Sequence, residues 1–431
     1  MDIAFFLITL ALALAIGVPV AFAIAVSALG LLIVFSDGLP LEAVLVLMTT
    51  RIYAGSDSFP LLAMPLFFLA GSLMEAAGIS DRLVRLGIAL VGWIRGGLAM
   101  VGVVASMFMS TVSGSASADA AAVGSVLIPA LKKRGYSAEF AAALVASSGS
   151  LGPIIPPSIL LVIYGSLTNT SISHLFLAGV VPGIVVAAGL IALCFVLAMI
   201  RGYPKEDRMS RRAILGVLLE ALIPLAAPLI VLGGIFAGIF TATESAMVAA
   251  LYSLLVGLFV YRTLNWRNIL TLSYDTALAS SRVMFIIGVA AFVGWVMARE
   301  QIPQRLGEQL LTISDSATVM LLIINLLVLV FGMFLEATAI LVILLPMLMP
   351  IVLHFGIDPV FFGVILIINL AIGTVTPPLG VCLFVTSSIA GVPFERCIRE
   401  VLPFLGVMIA TLALLTYMPE LALWLPRQLT P

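Results

Sequence analysis

The 431-residue chain is 63% hydrophobic and 10% charged, with a net charge of −1 and a mean hydropathy of +1.28. Soluble domains run near about 45–50% apolar and about 25% charged, so this is a polytopic membrane protein without a soluble domain of appreciable size. Its near-neutral charge falls in short clusters between apolar runs and gives no basis for binding nucleic acid.

The first 36 residues hold no Lys or Arg, whereas a secretory signal carries a basic region ahead of its apolar stretch. The N-terminus is therefore expected to stay as membrane helix. The run from Ile3 to Phe35 exceeds the about 20 residues one span needs and holds Gly17-Val18-Pro19 near its middle, which predicts two short spans. Further apolar stretches fall roughly at 60–77, 98–131, 138–165, 175–200, 216–240, 243–262, 278–298, 318–353, 360–389 and 401–424.

Two of these stretches carry polar residues in their middles. Ser110, Ser113, Gly114, Ser115, Ser117 and Asp119 interrupt 98–131, and Gly332, Glu336 and Thr338 interrupt 318–353. A long tilted helix with a small-residue packing face would tolerate some of this. A carboxylate in hydrocarbon is costly and marks an ion or substrate path, so re-entrant hairpins whose tips reach the membrane centre are the favoured reading. Two other stretches contain the same Gly/Pro punctuation, GSLGPIIPPS at Gly149 to Ser158 and NLAIGTVTPPLG at Asn369 to Gly380. Proline removes a donor and clashes with the preceding turn, so both helices must break. Broken backbone is tolerated in a membrane only where protein or a wet cavity satisfies it.

These features repeat in order. Gly71 to Leu83 aligns with Gly294 to Leu306, sharing Met, Ile, Arg and Leu positions; Asp119 stands ten residues before Pro129 as Glu336 does before Pro346. Gly152 to Pro157 falls on Gly373 to Pro378. The reading is a tandem duplication, with residues 1–212 holding a hairpin at 95–134 and a broken helix at 138–165, and residues 213–431 holding a hairpin at 315–357 and a broken helix at 360–389. Arg95, Lys132, Lys133 and Arg134 at the base of the first hairpin point to the cytoplasm, while Asp315, His354 and Asp358 at the second point outside. Arg82, Arg85, Arg201, Arg212, Arg262, Arg267, Arg396 and Arg399 keep that parity on the inside. The two halves are expected to be inverted, with paired interruptions marking a binding site at the midplane.

The interruptions offer neutral oxygens. Hydroxyls at Ser110, Ser113, Ser115 and Ser117 face freed carbonyls around Gly152, Ile154 and Ile155; the second half offers carbonyls near Gly332 and Gly373 with hydroxyls at Thr374 and Thr376. Such a set suits sodium. Helices beginning at Ser158 and Leu379 present N-terminal amides that favour a carboxylate. Asp119 and Glu336 are either ion ligands and proton carriers or acidic residues that cap and complement a return helix in its first turn; the capping role is favoured. Cys194, Cys382 and Cys397 lack CxxC spacing, and His174 and His354 fall at span ends, so no metal site other than one for sodium is expected. No lysine follows a glycine as a phosphate-binding loop requires, and no catalytic constellation lies in a span. ATP is thus not expected to drive the protein, enzymatic activity is disfavoured, and so is a channel, which would need a ring of filter residues.

The tip STVSGSASADAAAVGSVLIPALKKRGY from Ser110 to Tyr136, followed by ASSGSLGPIIPPSI, FGMFLEATAILVILLPMLMP and AIGTVTPPLG, resembles the large membrane subunit of tripartite ATP-independent periplasmic (TRAP) transporters, the DctM-like family. The resemblance covers essentially the whole chain. It implies an all-α multi-pass protein of the bacterial inner membrane, working with a small four-helix membrane subunit and a periplasmic substrate-binding protein, the small subunit being expected as a separate chain. It further implies sodium-coupled uptake of a small organic acid, such as a C4-dicarboxylate or sialic acid, without any cofactor beyond the coupling ion. The implied movement is an elevator, with helices in 1–56 and 216–262 as scaffold. By motif match one sodium site would use Ser110, Ser113, Gly152, Ile155 and Pro157, and a second Gly332, Gly373, Thr376 and Leu379. Substrate would lie near Ser115, Ser158 and Thr374. The alternative is a divalent-anion/sodium symporter that needs no binding protein, but its Ser-Asn-Thr tip motifs are missing here.

Overall fold

A computed structural model describes residues 2–35, 40–205, 209–302, 305 and 316–429. Every regular element among the described residues is helical, as hydrocarbon demands of a backbone that has only itself to bond. Seven of these helices are long and apolar enough to cross a bilayer.

The N-terminal run forms α1 (Asp2–Ala15) and α2 (Val20–Phe35), parted at Gly17 and Pro19 as expected. Next come α3 (Leu41–Ser56), then α4 (Ala63–Ala76) led in by a 3-10 turn at Phe59–Leu62, and α5 (Ile79–Val91). Neither α3 nor α5 stood out by hydropathy. Helix α3 carries Glu42, Thr49, Thr50 and Arg51, and α5 is amphipathic, burying Ile79, Leu83, Leu86 and Ala89 while Asp81 and Arg85 stay exposed. An amphipathic helix dilutes its own window average, and only its period reveals it.

Both long interrupted stretches fold back as helical hairpins. The first comprises α6 (Gly97–Ser113) and α7 (Ala116–Lys133), joined by Gly114 and Ser115. Helices α8 (Ala138–Gly149) and α9 (Ile159–Thr168) follow, separated by the first Gly/Pro break. Then come α10 (Ile172–Arg201), α11 (Arg211–Phe236), α12 (Ala242–Leu255), which runs on into a π-helical turn at Val256–Val260, and α13 (Trp266–Arg299). Helix α13 starts well before the expected 278, because Asn265 caps it, its Oδ1 accepting from Asn268 N at 2.9 Å. At 34 residues it is about 51 Å long, more than the about 30 Å hydrocarbon core can take without steep tilt.

The second hairpin comprises α14 (Ala317–Gly332) and α15 (Ala337–His354), and the second broken helix α16 (Pro359–Gly373) and α17 (Val381–Ala390). Pro419 splits the C-terminal stretch, expected as one span, into α18 (Phe394–Tyr417) and α19 (Pro419–Leu429). In both breaks the Pro-Pro bond, Pro156–Pro157 and Pro377–Pro378, is cis.

The broken helices form the centre of the molecule. Every residue from Phe140 to Gly165 and from Phe361 to Gly373 is buried. Polar contacts tie each hairpin base to its neighbours. Lys132 Nζ, at the base of the first, donates to Ala390 O at 2.9 Å, and nearby Arg201 pairs with Glu400 at 2.7 Å. The base of the second meets α9, where the Tyr164 hydroxyl donates to Pro359 O at 2.7 Å. Beside it Asp358 caps α16 through Val360 N at 2.7 Å. Leu306 and Asp315, used above for the repeat and the charge parity, lie outside the described residues.

Candidate functional site

The first tip closes through side chains. Gly114 ends α6 with φ of +62°, a left-handed turn that glycine takes without cost, and the chain re-enters helix within two residues. That short turn brings α6 and α7 together, so that Ser110 Oγ donates to Asp119 Oδ2 at 2.9 Å and Ser113 Oγ donates to Asp119 Oδ1. Asp119 N in turn donates to Ser115 O at 3.0 Å. Asp119 does lie in the first turn of α7, but its carboxylate accepts hydrogen bonds from hydroxyls of the opposite arm where capping of its own helix was expected. It is completely buried.

The break packs directly on this tip. A Cβ added to Gly152 would stand 2.7 Å from Asp119 Oδ2 and 2.9 Å from Ser115 O, and one on Gly114 would stand 2.7 Å from Pro157 O. Ser110, Ser113, Ser115, Gly152 and Pro157 are thus brought into one oxygen-rich contact around a buried carboxylate. Ile155 lies in the same break with its side chain against Gly183 of α10. Ser158 is turned away to cap α9, its Oγ accepting from Leu161 N at 3.3 Å.

The second tip and break meet backbone to backbone. A Cβ on Gly373 would lie 2.8 Å from Gly332 Cα and 3.1 Å from Gly332 O. Leu379 N donates to Met333 O at 3.2 Å, tying break to tip, and Cys382 N donates to Thr374 O at 2.9 Å. The hydroxyls of Thr374 and Thr376 donate to Ala371 O at 2.7 Å and Ile372 O at 2.8 Å, leaving their lone pairs available. Glu336 differs from Asp119. It is the exposed N-cap residue of α15, makes no bond to that helix's amides, and accepts from Thr338 Oγ1 at 3.4 Å.

Both tips and both breaks open on one cavity of about 430 Å³, within the range of small-molecule sites. Ser115, Ser117, Glu336, Thr338, Thr374 and Leu379 line it, together with residues of α13. Among the lining residues that sequence reasoning missed are Arg282 and Cys382. Arg282 was legible as a lone arginine inside an apolar stretch. Nothing in the spacing of Cys382 distinguished it from the buried Cys194 and Cys397.

The chain matches, over residues 7–421, the family described as the DctM component of tripartite ATP-independent periplasmic transporters. It is 43% identical over 378 residues to the sialic acid TRAP transporter large permease protein SiaM of Vibrio cholerae serotype O1, covering 88% of each chain. To the C4-dicarboxylate TRAP transporter large permease protein DctM of Pseudomonas aeruginosa it is 39% identical over 379 residues, 88% of this chain and 89% of that one. In fold it is similar to the YdaH transporter of Alcanivorax borkumensis, with a TM-score of 0.66 and 16% identity over 96% of this chain and 100% of that one.

Proposed function

We propose that this chain, which belongs to the DctM component family of TRAP transporters, is the large membrane subunit of a sodium-coupled importer of a small organic acid. It is a multi-pass transporter permease and not an enzyme. The observation that carries the proposal is the convergence of two hairpin tips and two helix breaks on one cavity, the arrangement in which interrupted membrane helices hold ions and anions. One sodium is assigned to the first tip and break, where Ser110, Ser113, Gly152, Ile155 and Pro157 would surround it and the Asp119 carboxylate would supply the charge. The second is assigned to Gly332, Gly373, Thr376 and Leu379, where carbonyl and hydroxyl oxygens suffice. The donor chemistry fits, because both clusters are oxygen-only and sit where the backbone is broken.

The organic acid would occupy the space between, against Ser115, Ser117 and Thr374. Relatives named for sialic acid and C4-dicarboxylate transport support a carboxylate as cargo. The ordered repeat and the charge parity of the sequence support an inverted pair of modules, spanning 1–212 and 213–431, moving as an elevator against the helices of 1–56 and 216–262. A small four-helix membrane subunit and a periplasmic binding protein, in the bacterial inner membrane, complete the proposed assembly. Uptake by the purified complex in vesicles is expected to need both an inward sodium gradient and added binding protein. Sodium-independent flux would overturn the reading, and uptake without the binding protein would favour a divalent-anion symporter.

A further inference from the structure

One face of α13 also lines the cavity. Ala279, Arg282, Val283 and Ile286 line the cavity at the i, i+3, i+4, i+7 spacing that puts residues on one helical stripe. Three of the four are apolar. Arg282 stands among them exposed, and no hydrogen bond or ion pair joins it to any described residue. Arg299, at the end of the same helix, is by contrast anchored, pairing with Glu300 at 3.8 Å and lying over the Trp295 ring.

An unpaired cation inside a membrane protein is costly and, where it faces a cavity, marks the path of an ion or substrate. Sodium cannot be what it attracts. The other charged residue of the lining, Glu336, is held by Thr338 on the second tip. We propose that Arg282 is the counter-charge for the carboxylate of the transported acid, gripping it from the α13 side while the tip hydroxyls of Ser115, Ser117 and Thr338 take its remaining polar groups. The proposal rests on the transport function above and adds to it the residue that selects an anion. A guanidinium suits the task because its planar fork matches both carboxylate oxygens, which a lysine ammonium cannot do.

The test uses the complete complex in vesicles with an inward sodium gradient, with N-acetylneuraminate and succinate as probes. Arg282→Gln is expected to raise the KM for the transported acid by about 10- to 100-fold, the loss of a charge-assisted contact. Arg282→Lys should raise it less, since it keeps the charge and loses the fork. Thermal stabilisation of the detergent-solubilised variants by sodium should be unaltered, because neither sodium cluster contains Arg282. An unchanged KM, or a loss of uptake that higher acid concentration does not restore, would overturn the assignment of Arg282. If Arg282→Gln no longer folds, as judged by lost sodium stabilisation, the KM of Arg282→Lys decides by the same criterion. Absence of sodium-dependent uptake of either probe by the unaltered complex would instead overturn the transport reading, and this inference with it.

Discussion

Asp119 shows how much of the first tip depends on single atoms. Its two carboxylate oxygens each receive a serine hydroxyl from the other arm, and Gly152 is the one residue small enough to let the break lie against them. Asp119→Asn removes the charge at nearly constant volume. It should raise the sodium concentration needed for half-maximal thermal stabilisation by about 10-fold or more, leaving the second cluster able to bind. A sodium titration of melting temperature measures this, and an unshifted midpoint would exclude Asp119 from the ion site. The residue types of this tip were legible in the sequence, but their pairing was not. Ser110 and Asp119 are nine residues apart, a distance that carries no meaning along one helix and acquires it only when the chain reverses at Gly114. Arg282 was hidden for a different reason, since averaging over a window dissolves one charge in an apolar stretch.

Hairpins and broken helices are the elements most readable in advance, because a Pro-Pro pair close behind a glycine and a midspan carboxylate are both costly in an uninterrupted membrane helix, whereas single prolines such as Pro182 and Pro224 sit inside continuous ones. Helices α3 and α5, and the first half of α13, escaped because they are amphipathic or polar, and their stability comes from packing rather than from hydropathy. How closely the second tip approaches its break was likewise invisible. Gly332 and Gly373 are 41 positions apart in sequence, yet each occupies the space where the other's Cβ would stand. Gly373→Ala should therefore destabilise the protein by about 1–3 kcal/mol through overpacking, seen as a lower melting temperature and a weaker response to sodium. Gly216→Ala, in α11 with nothing within 4 Å of the new methyl, should leave the melting temperature unchanged or raise it, alanine being the better helix former. Equal effects at the two sites would remove steric contact as the explanation.

For the whole molecule, charge parity along the sequence is what carries the inverted reading. Lys132 bonds to Ala390 and Arg201 to Glu400, while Tyr164 bonds to Pro359. Two modules of like construction entering from opposite faces can present one cavity to each side in turn, which a parallel pair could not do by the same movement. Lys133 and Asp358 are exposed at the two hairpin bases and report on this directly. In intact vesicles of known orientation, a cysteine at Lys133 (Lys133→Cys) should react with an impermeant thiol reagent only from the cytoplasmic side. A cysteine at Asp358 (Asp358→Cys) should react only from the periplasmic side, and labelling of both from the same side would contradict the inverted architecture on which the shared cavity depends.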